Sequence, residues 1–351
     1  MKVLFVQKHP CIRNYKIAVA LKKKGVQVDL AYTHLPISKM YPGLSDSVYS
    51  KNIHASSVYE IRKLASSYDV VHSHNEPDDF TIGLLGIDPP LIHDTHDMIS
   101  LRPIPNVDKQ KMLAEKEELA NRAAKGRVYV SEYMLKVALE RYEVEPERCL
   151  VYGNYANKED IPENLWECPK DGIHIVYQGG VNLPGGHRWY GDIFGALNKA
   201  GIHVHVYPSP VYGMSKSRLG SESYFTKSPY LHLHASVSPE KLIKEMVQYD
   251  AGIIPFNITN ENRLFLNQSM PNKLWEYLGA GLPVIAPRLY SLEKFINETG
   301  AGVIYDAPRD IINQIGRLAT IKASGVRRHI KTHDDEIGNL ISFYRLLGGA
   351  K

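Results

Sequence analysis

PNKLWEYLGAGLPVIAP, residues 271–287, decides the reading of this 351-residue chain, because it sets one ammonium, one carboxylate and two glycines around a helix-to-strand junction. Pro271 suits a first helical turn, and residues 272–278 form a helical pattern with Leu274 and Leu278 on one face. Gly279 and Gly281 end the helix, and residues 282–286 are an apolar run without alternation, as in a strand buried on both faces. Lys273 and Glu276, three apart, share a helix face at the mouth of a crevice between strand ends, where α/β folds bind ligands. A nucleoside diphosphate matches that pair: the ammonium meets phosphate charge and the carboxylate accepts two hydrogen bonds from a ribose diol. Spacing alone fits a surface ion pair on a capped helix equally well.

The same rhythm runs along the whole chain. Apolar strands are expected at residues 3–6, 26–31, 70–74, 91–94, 126–130 and 149–152, with helices at 14–24 and 108–124 among them. That alternation predicts a doubly wound, mainly parallel sheet. A polar, proline-containing stretch at 157–172 reads as a linker, and the pattern restarts with strands at 173–177, 203–207, 230–234, 251–255, 282–286 and 302–305. The expected division is a domain over 1–156, the linker 157–172, a second domain over 173–334, and a last helix within 335–351 that returns to the first domain. Residues 208–229 form an insertion longer than an ordinary connection, a length common in functional or disordered loops. Its Tyr212, Tyr224 and Phe225, with Tyr41 and Tyr49 in another long loop, suit stacking on a sugar or plain loop packing.

In YQGGVNLPGGHRWYGD, residues 177–192, Gly179 and Gly180 follow a strand and a helix starts near Trp189. Backbone N–H groups and a helix N-terminus there can face an anion, and Arg188 is a natural bidentate partner for phosphate. The first strand-to-helix turn, QKHPCIRN, lacks the dinucleotide-binding glycines, and its Lys8, His9, Arg13 and Asn14 fit either anion and sugar contact or a solvated loop. Lys22, Lys23 and Lys24 sit at a helix C-terminus and read as complements to its dipole.

The 271–287 string resembles the nucleotide-sugar motif of the GT-B glycosyltransferases, especially the retaining group 1 or family 4 enzymes. The resemblance implies two Rossmann-like doubly wound domains facing across a cleft. It also implies transfer of a hexose from a nucleoside-diphosphate sugar to a glycan, lipid-linked or small acceptor. Glu276 would hold the donor ribose, as a donor-binding residue with a catalytic share. The family's first glutamate of its E-x7-E pair falls on Gln268, which bonds to a sugar but carries no charge. His96, in PLIHDTHD at residues 90–97, matches the histidine placed near the donor sugar and leaving phosphate. Gly179, Gly180, Arg188 and Lys273 would cradle the diphosphate, while Lys8, His9, Arg13 and Asn14 would face the acceptor. Ser131, Asn154 and Asp250 match architectural positions. Two alternatives stay open: a sugar-nucleotide epimerase of the same fold, and a nucleotide-sugar-binding protein without turnover.

Composition narrows the rest. Lys and Arg number 42 against 38 Asp and Glu, a formal +4 spread evenly between the halves, so no nucleic-acid-binding module is expected. Cys11, Cys149 and Cys168 form no C-x-x-C pair, which suits a reducing cytoplasm. MKVLFVQKHP reads as a first strand rather than a signal peptide, and no run approaches the roughly 18 apolar residues of a membrane span. The expectation is a cytoplasmic chain whose contact with the inner face of a membrane, if any, is peripheral. His72, His74, Asp94, His96 and Asp97 include metal-ligand types, but without a D-x-D triplet no metal and no cofactor is expected.

Overall fold

The computed structural model describes residues 1–165, 171–182, 188–209 and 228–348. The chain divides into two compact units. The first comprises Met1–Asn157, Leu264–Met270 and Thr332–Lys351, and the second Lys158–Arg263 and Pro271–Lys331.

The first unit is built on a seven-stranded sheet of β1 (Lys2–Gln7), β2 (Gln27–Tyr32), β3 (Lys51–His54), β4 (Val70–His74), β5 (Leu91–Thr95), β6 (Gly126–Tyr129) and β7 (Cys149–Val151). Their order is β3-β2-β1-β4-β5-β6-β7, with every pairing parallel. Helices on both faces bury the central strands completely, so β4 and β5 are inaccessible along their whole length. Leu4, Val6, Ala31, Val71 and Leu91 form part of one core on this sheet, with Ile61 and Leu84 packed on it. The Glu132–Tyr142 helix starts at Ser131, whose hydroxyl accepts the Met134 N–H at 3.3 Å. The His333–Leu346 helix opens on a Thr332–Asp335 capping box and belongs to this unit. It packs on β6 because Gly126 has no side chain: a Cβ there would lie 2.3 Å from Leu347 Cδ1.

In the second unit a six-stranded parallel sheet runs β10-β9-β8-β11-β12-β13. Its strands are β8 (His174–Gly179), β9 (His203–Pro208), β10 (Leu231–Leu233), β11 (Ala251–Ile253), β12 (Val284–Pro287) and β13 (Gly302–Tyr305). Ile175, Tyr177, Val204, Val206, Ile253 and Ile285 centre the core, and Phe194 and Leu197 of the Gly191–Lys199 helix pack against it. Asp250 ties β11 to β8 by accepting the His174 N–H at 2.6 Å. The Asn272–Gly279 helix leads into β12, with Pro271 just outside it in extended backbone rather than in its first turn. Tyr277 on that helix donates to Ile253 O at 3.1 Å and accepts the Gln178 N–H at 3.2 Å, which fixes the helix to the end of β8.

Candidate active site

In the second unit the donor residues gather at the C-terminal end of β8. Gly179 adopts φ +133°, in the region that favours glycine, and a Cβ there would stand 2.9 Å from Tyr177 Oη and 3.2 Å from Lys273 Nζ. The missing side chain is therefore the space the ammonium uses. Lys273 Nζ lies 4.8 Å from the Tyr177 ring centroid, a cation–π placement. Burial, then the nearby Arg188 guanidinium, pushes the Lys273 pKa down to about 7, and Glu276 opposes them. Two cations held this close favour an anion between them. Glu276, buried, accepts a hydrogen bond from the Gln178 amide. Gly180 O accepts the Tyr177 hydroxyl at 2.7 Å, and Asn182 N–H donates to Arg188 O at 3.0 Å across the turn. The Gly191–Lys199 helix has Tyr190 at its N-cap, whose side chain makes no capping hydrogen bond.

The first unit holds a charge network around Asp94, at the C-terminal end of β5. Arg13 grips both Asp94 oxygens, Nε to Oδ2 at 3.0 Å and Nη2 to Oδ1 at 3.1 Å. The same guanidinium donates to Tyr152 O at 2.8 Å, Gly153 O at 2.9 Å and Asn154 Oδ1 at 3.1 Å. His72 and His74, two apart on β4, stack at 4.5 Å, and their rings reach Asp94 Oδ2 at 3.2 and 3.3 Å. His74 Nδ1 meets His96 Nε2 at 3.1 Å, and His96 Nδ1 lies 3.9 Å from Cys11 Sγ. Burial would raise Asp94, but Arg13 and His96 outweigh it and hold the carboxyl well below its usual range. Burial likewise works against a charged His96, yet Cys11 and Asp94 lift its pKa to about 10. His72 and His74 are lowered by burial and stay neutral. The result is one imidazolium, its side chain 19% exposed, at the open end of a buried relay. Ligand atoms of His72, His74 and Asp94 lie within 4.8 Å of one another, but Arg13 already supplies the positive charge a cation would bring.

Two sequence expectations change here. Arg13 and Asn14 are buried; Arg13 is committed to Asp94 and the 152–154 segment, and Asn14 Oδ1 accepts the Tyr49 hydroxyl at 2.7 Å. They brace the fold, which leaves Lys8 and His9 as that turn's candidates for an acceptor. Gln268 sits in the Leu264–Met270 segment of the first unit, apart from the Lys273 cluster in the fold's division. It is buried, with Oε1 accepting the Met98 N–H at 2.9 Å and its backbone O the Ser131 hydroxyl at 3.0 Å. Asn75, the last residue of the DVVHSHN strand string, fixes the His96 turn from the other side: Oδ1 accepts the His96 N–H at 2.8 Å and Nδ2 donates to Asp97 O at 2.9 Å. Gln178 and Cys11 stand inside the YQGG and QKHPCIRN turns, but only the fold supplies their partners Glu276 and His96. Residue 187 and most of the 208–229 insertion, with Tyr212, Tyr224 and Phe225, lie outside the described residues, as does Cys168.

Two parallel sheets of seven and six strands, each with a polar cluster at strand C-termini, make up the GT-B fold. The Glycosyltransferase Family 4 profile matches residues 13–157, and the Glucosyltransferase 3-like, C-terminal domain profile matches residues 207–342. Both profiles describe glycosyltransferases, and the chain is a glycosyltransferase that resembles the family 4 enzymes. Among solved structures it is similar to sucrose-phosphate synthase from Thermosynechococcus elongatus, with TM-score 0.70 at 12% identity over 100% of both chains. HepE from Anabaena, solved with UDP-glucose, matches at TM-score 0.69 and 13% identity, over 97% of this chain and 99% of that one. The lipopolysaccharide outer core galactosyltransferase WaaB matches at 0.65 and 12%, over 98% and 100%. No curated protein matches the chain.

Proposed function

We propose that this glycosyltransferase takes a hexose from a UDP-sugar and moves it, with retention, to a glycan or lipid-linked acceptor, without a divalent ion in the transfer step. The observation that carries the donor half is Lys273 Nζ set against Gly179 at the end of β8, with the Arg188 guanidinium near enough to lower its pKa, to about 7 with burial. Lys273, Arg188 and the Gly179–Gly180 backbone stabilise charge on the departing diphosphate, and such preorganised electrostatics are usually the main source of rate enhancement in a site of this kind. That service is what a magnesium ion supplies elsewhere, and it is the basis for metal independence. Glu276 takes the ribose diol, with Gln178 as the partner it holds meanwhile.

In the first unit His96 offers an imidazolium able to donate to a sugar hydroxyl or a phosphate oxygen. Gln268 keeps one amide oxygen on the Met98 N–H, so it positions the His96 turn and leaves its buried Nε2 for a sugar hydroxyl. Lys8 and His9 face the acceptor. UDP is chosen first because HepE was solved with UDP-glucose, and a glycan acceptor because WaaB acts on lipopolysaccharide core. No helix among the described residues is long and apolar enough to cross a membrane.

A thermal-shift panel of UDP, GDP, ADP, CMP and their sugars, on wild type and Glu276→Ala, tests this. Ligand at about 100 times its Kd adds roughly 2.7 kcal/mol to wild type. No shift from any nucleotide would overturn the donor site. Turnover that needs magnesium after chelation would overturn metal independence alone, and an inverted anomeric signal in the product would overturn retention.

A further inference from the structure

At the other end of β8 the second unit carries a row of five histidines that sugar transfer does not use. HVHVYP in β9 and LHLH at residues 231–234 alternate strictly. Val204 and Val206 enter the core with Leu231 and Leu233 packed against it, while His203, His205, His232 and His234 line the opposite face with His174. The rings stack: His174 on His203 at 4.2 Å and 5°, His205 on His232 at 4.4 Å and 15°. They are also joined nitrogen to nitrogen, His174 Nδ1 to His205 Nε2 at 2.8 Å, His203 Nδ1 to His232 Nε2 at 2.8 Å, and His205 Nδ1 to His234 Nε2 at 2.9 Å. Each such contact shares one proton, so the hydrogen bonds select tautomers along the row.

Asp171, three residues before His174, closes the open side. Its Oδ1 lies 3.7 Å from His174 Nε2, and one ligand atom from each of Asp171, His174 and His203 lies within 4.8 Å of the others. His203 Nε2 lies beside Gly172, next in sequence to Asp171. When His174 and His203 donate through Nδ1 to His205 and His232, both Nε2 atoms are left as lone pairs on the Asp171 side. This is the arrangement metal-binding histidines show: one nitrogen for the metal, the other donating to a support.

We propose that Asp171, His174 and His203 form a site for a divalent transition ion of the zinc class, with His205 and His232 as hydrogen-bonded supports and water as fourth ligand. Two imidazoles and a carboxylate suit zinc, whose ligands lie about 2.0–2.2 Å from the ion. Reaching that geometry needs the ligand atoms to draw in, and Asp171, with its side chain 94% exposed, is free to swing. His174 opens β8 and Gly179 ends it, a separation of about 17 Å along a strand. The ion therefore braces the β10-β9-β8 edge and takes no part in the transfer chemistry. The inference stands independently of the donor and acceptor proposed above.

Equilibrium dialysis of the chelator-treated full chain against zinc chloride, read by elemental analysis, and cobalt(II) absorption test it. Wild type should bind about one zinc per chain and give the intense visible bands of four-coordinate cobalt. His174→Gln/His203→Gln should lose at least about 100-fold in affinity, and His205→Phe about 10–100-fold through loss of the support. Asp171→Ala, at an exposed position that cannot unfold the domain, should weaken zinc and erase the cobalt bands. Zinc binding absent from wild type, or equal in wild type and Asp171→Ala or the double variant, overturns the site; the latter would put the ion elsewhere.

Discussion

Raising the pH should make donor binding take up a proton, because Lys273 is largely neutral in the empty site and must be charged to meet a diphosphate. With its pKa lowered to about 7, roughly ten lysines in eleven are neutral at about pH 8 and roughly one in eleven at about pH 6. Binding UDP-glucose, whose diphosphate carries no proton near neutrality, should therefore take up about 0.9 proton at about pH 8 and about 0.1 at about pH 6. Protonation at about pH 8 costs about 1.4 kcal/mol, so affinity should fall about tenfold per pH unit above 7 and stay level below it. Titration calorimetry in buffers of different ionisation enthalpy reads the proton count directly. In Lys273→Met the uptake and the slope should both vanish while some affinity remains through Arg188 and Glu276. Near-zero uptake at about pH 8, or equal uptake in the variant, would refute the reasoning from burial and Arg188.

Arg13→Met leaves Asp94 buried without its cation and should cost about 3–5 kcal/mol in urea unfolding, recovered in part by adding Asp94→Asn. The charged His96 is a group whose folded pKa is raised, to about 10. Its stabilisation should be complete below about pH 6.5, decline as pH rises through about 10, and be absent from the unfolding curves of His96→Gln. Gly179→Ala places a Cβ 2.9 Å from the Tyr177 hydroxyl at φ +133°. It should cost about 1–3 kcal/mol in thermal stability and displace Lys273, with weaker UDP-glucose binding by calorimetry.

Most of the fold is legible in the sequence because buried parallel strands announce themselves as apolar runs. Residues 70–74 and 302–305 match β4 and β13 residue for residue. β3 escapes because KNIH is a polar edge strand, exposed at three of its four residues, so no hydrophobic pattern marks it. Lys273 and Glu276 are legible from helical spacing, and their shared approach to β8 follows from it. Arg13 misleads for a physical reason: a loop arginine is ordinarily solvated, and only the fold reveals the 81-residue jump to Asp94 that internalises it. Gln268 is close to Lys273 in sequence, yet the chain passes from one unit to the other between Met270 and Pro271, so sequence gives no sign of its partners Met98 and Ser131. The histidine row is written plainly in HVHV and LHLH, yet alternation alone does not tell an imidazole face from any other polar face.

The first unit is sewn from three pieces, with the second unit's residues running between them. Tyr344, in the last piece, places its hydroxyl 2.6 Å from His72 Nδ1, and His333 Nδ1 is 2.9 Å from the Tyr152 hydroxyl. During synthesis the Asp94 relay thus lacks its Tyr344 hydroxyl until the second unit's residues, which come between, have all been made. A chain released before Thr332 would therefore carry His72 and Tyr152 without their partners Tyr344 and His333, although Asp94 and Cys11 already stand beside His96.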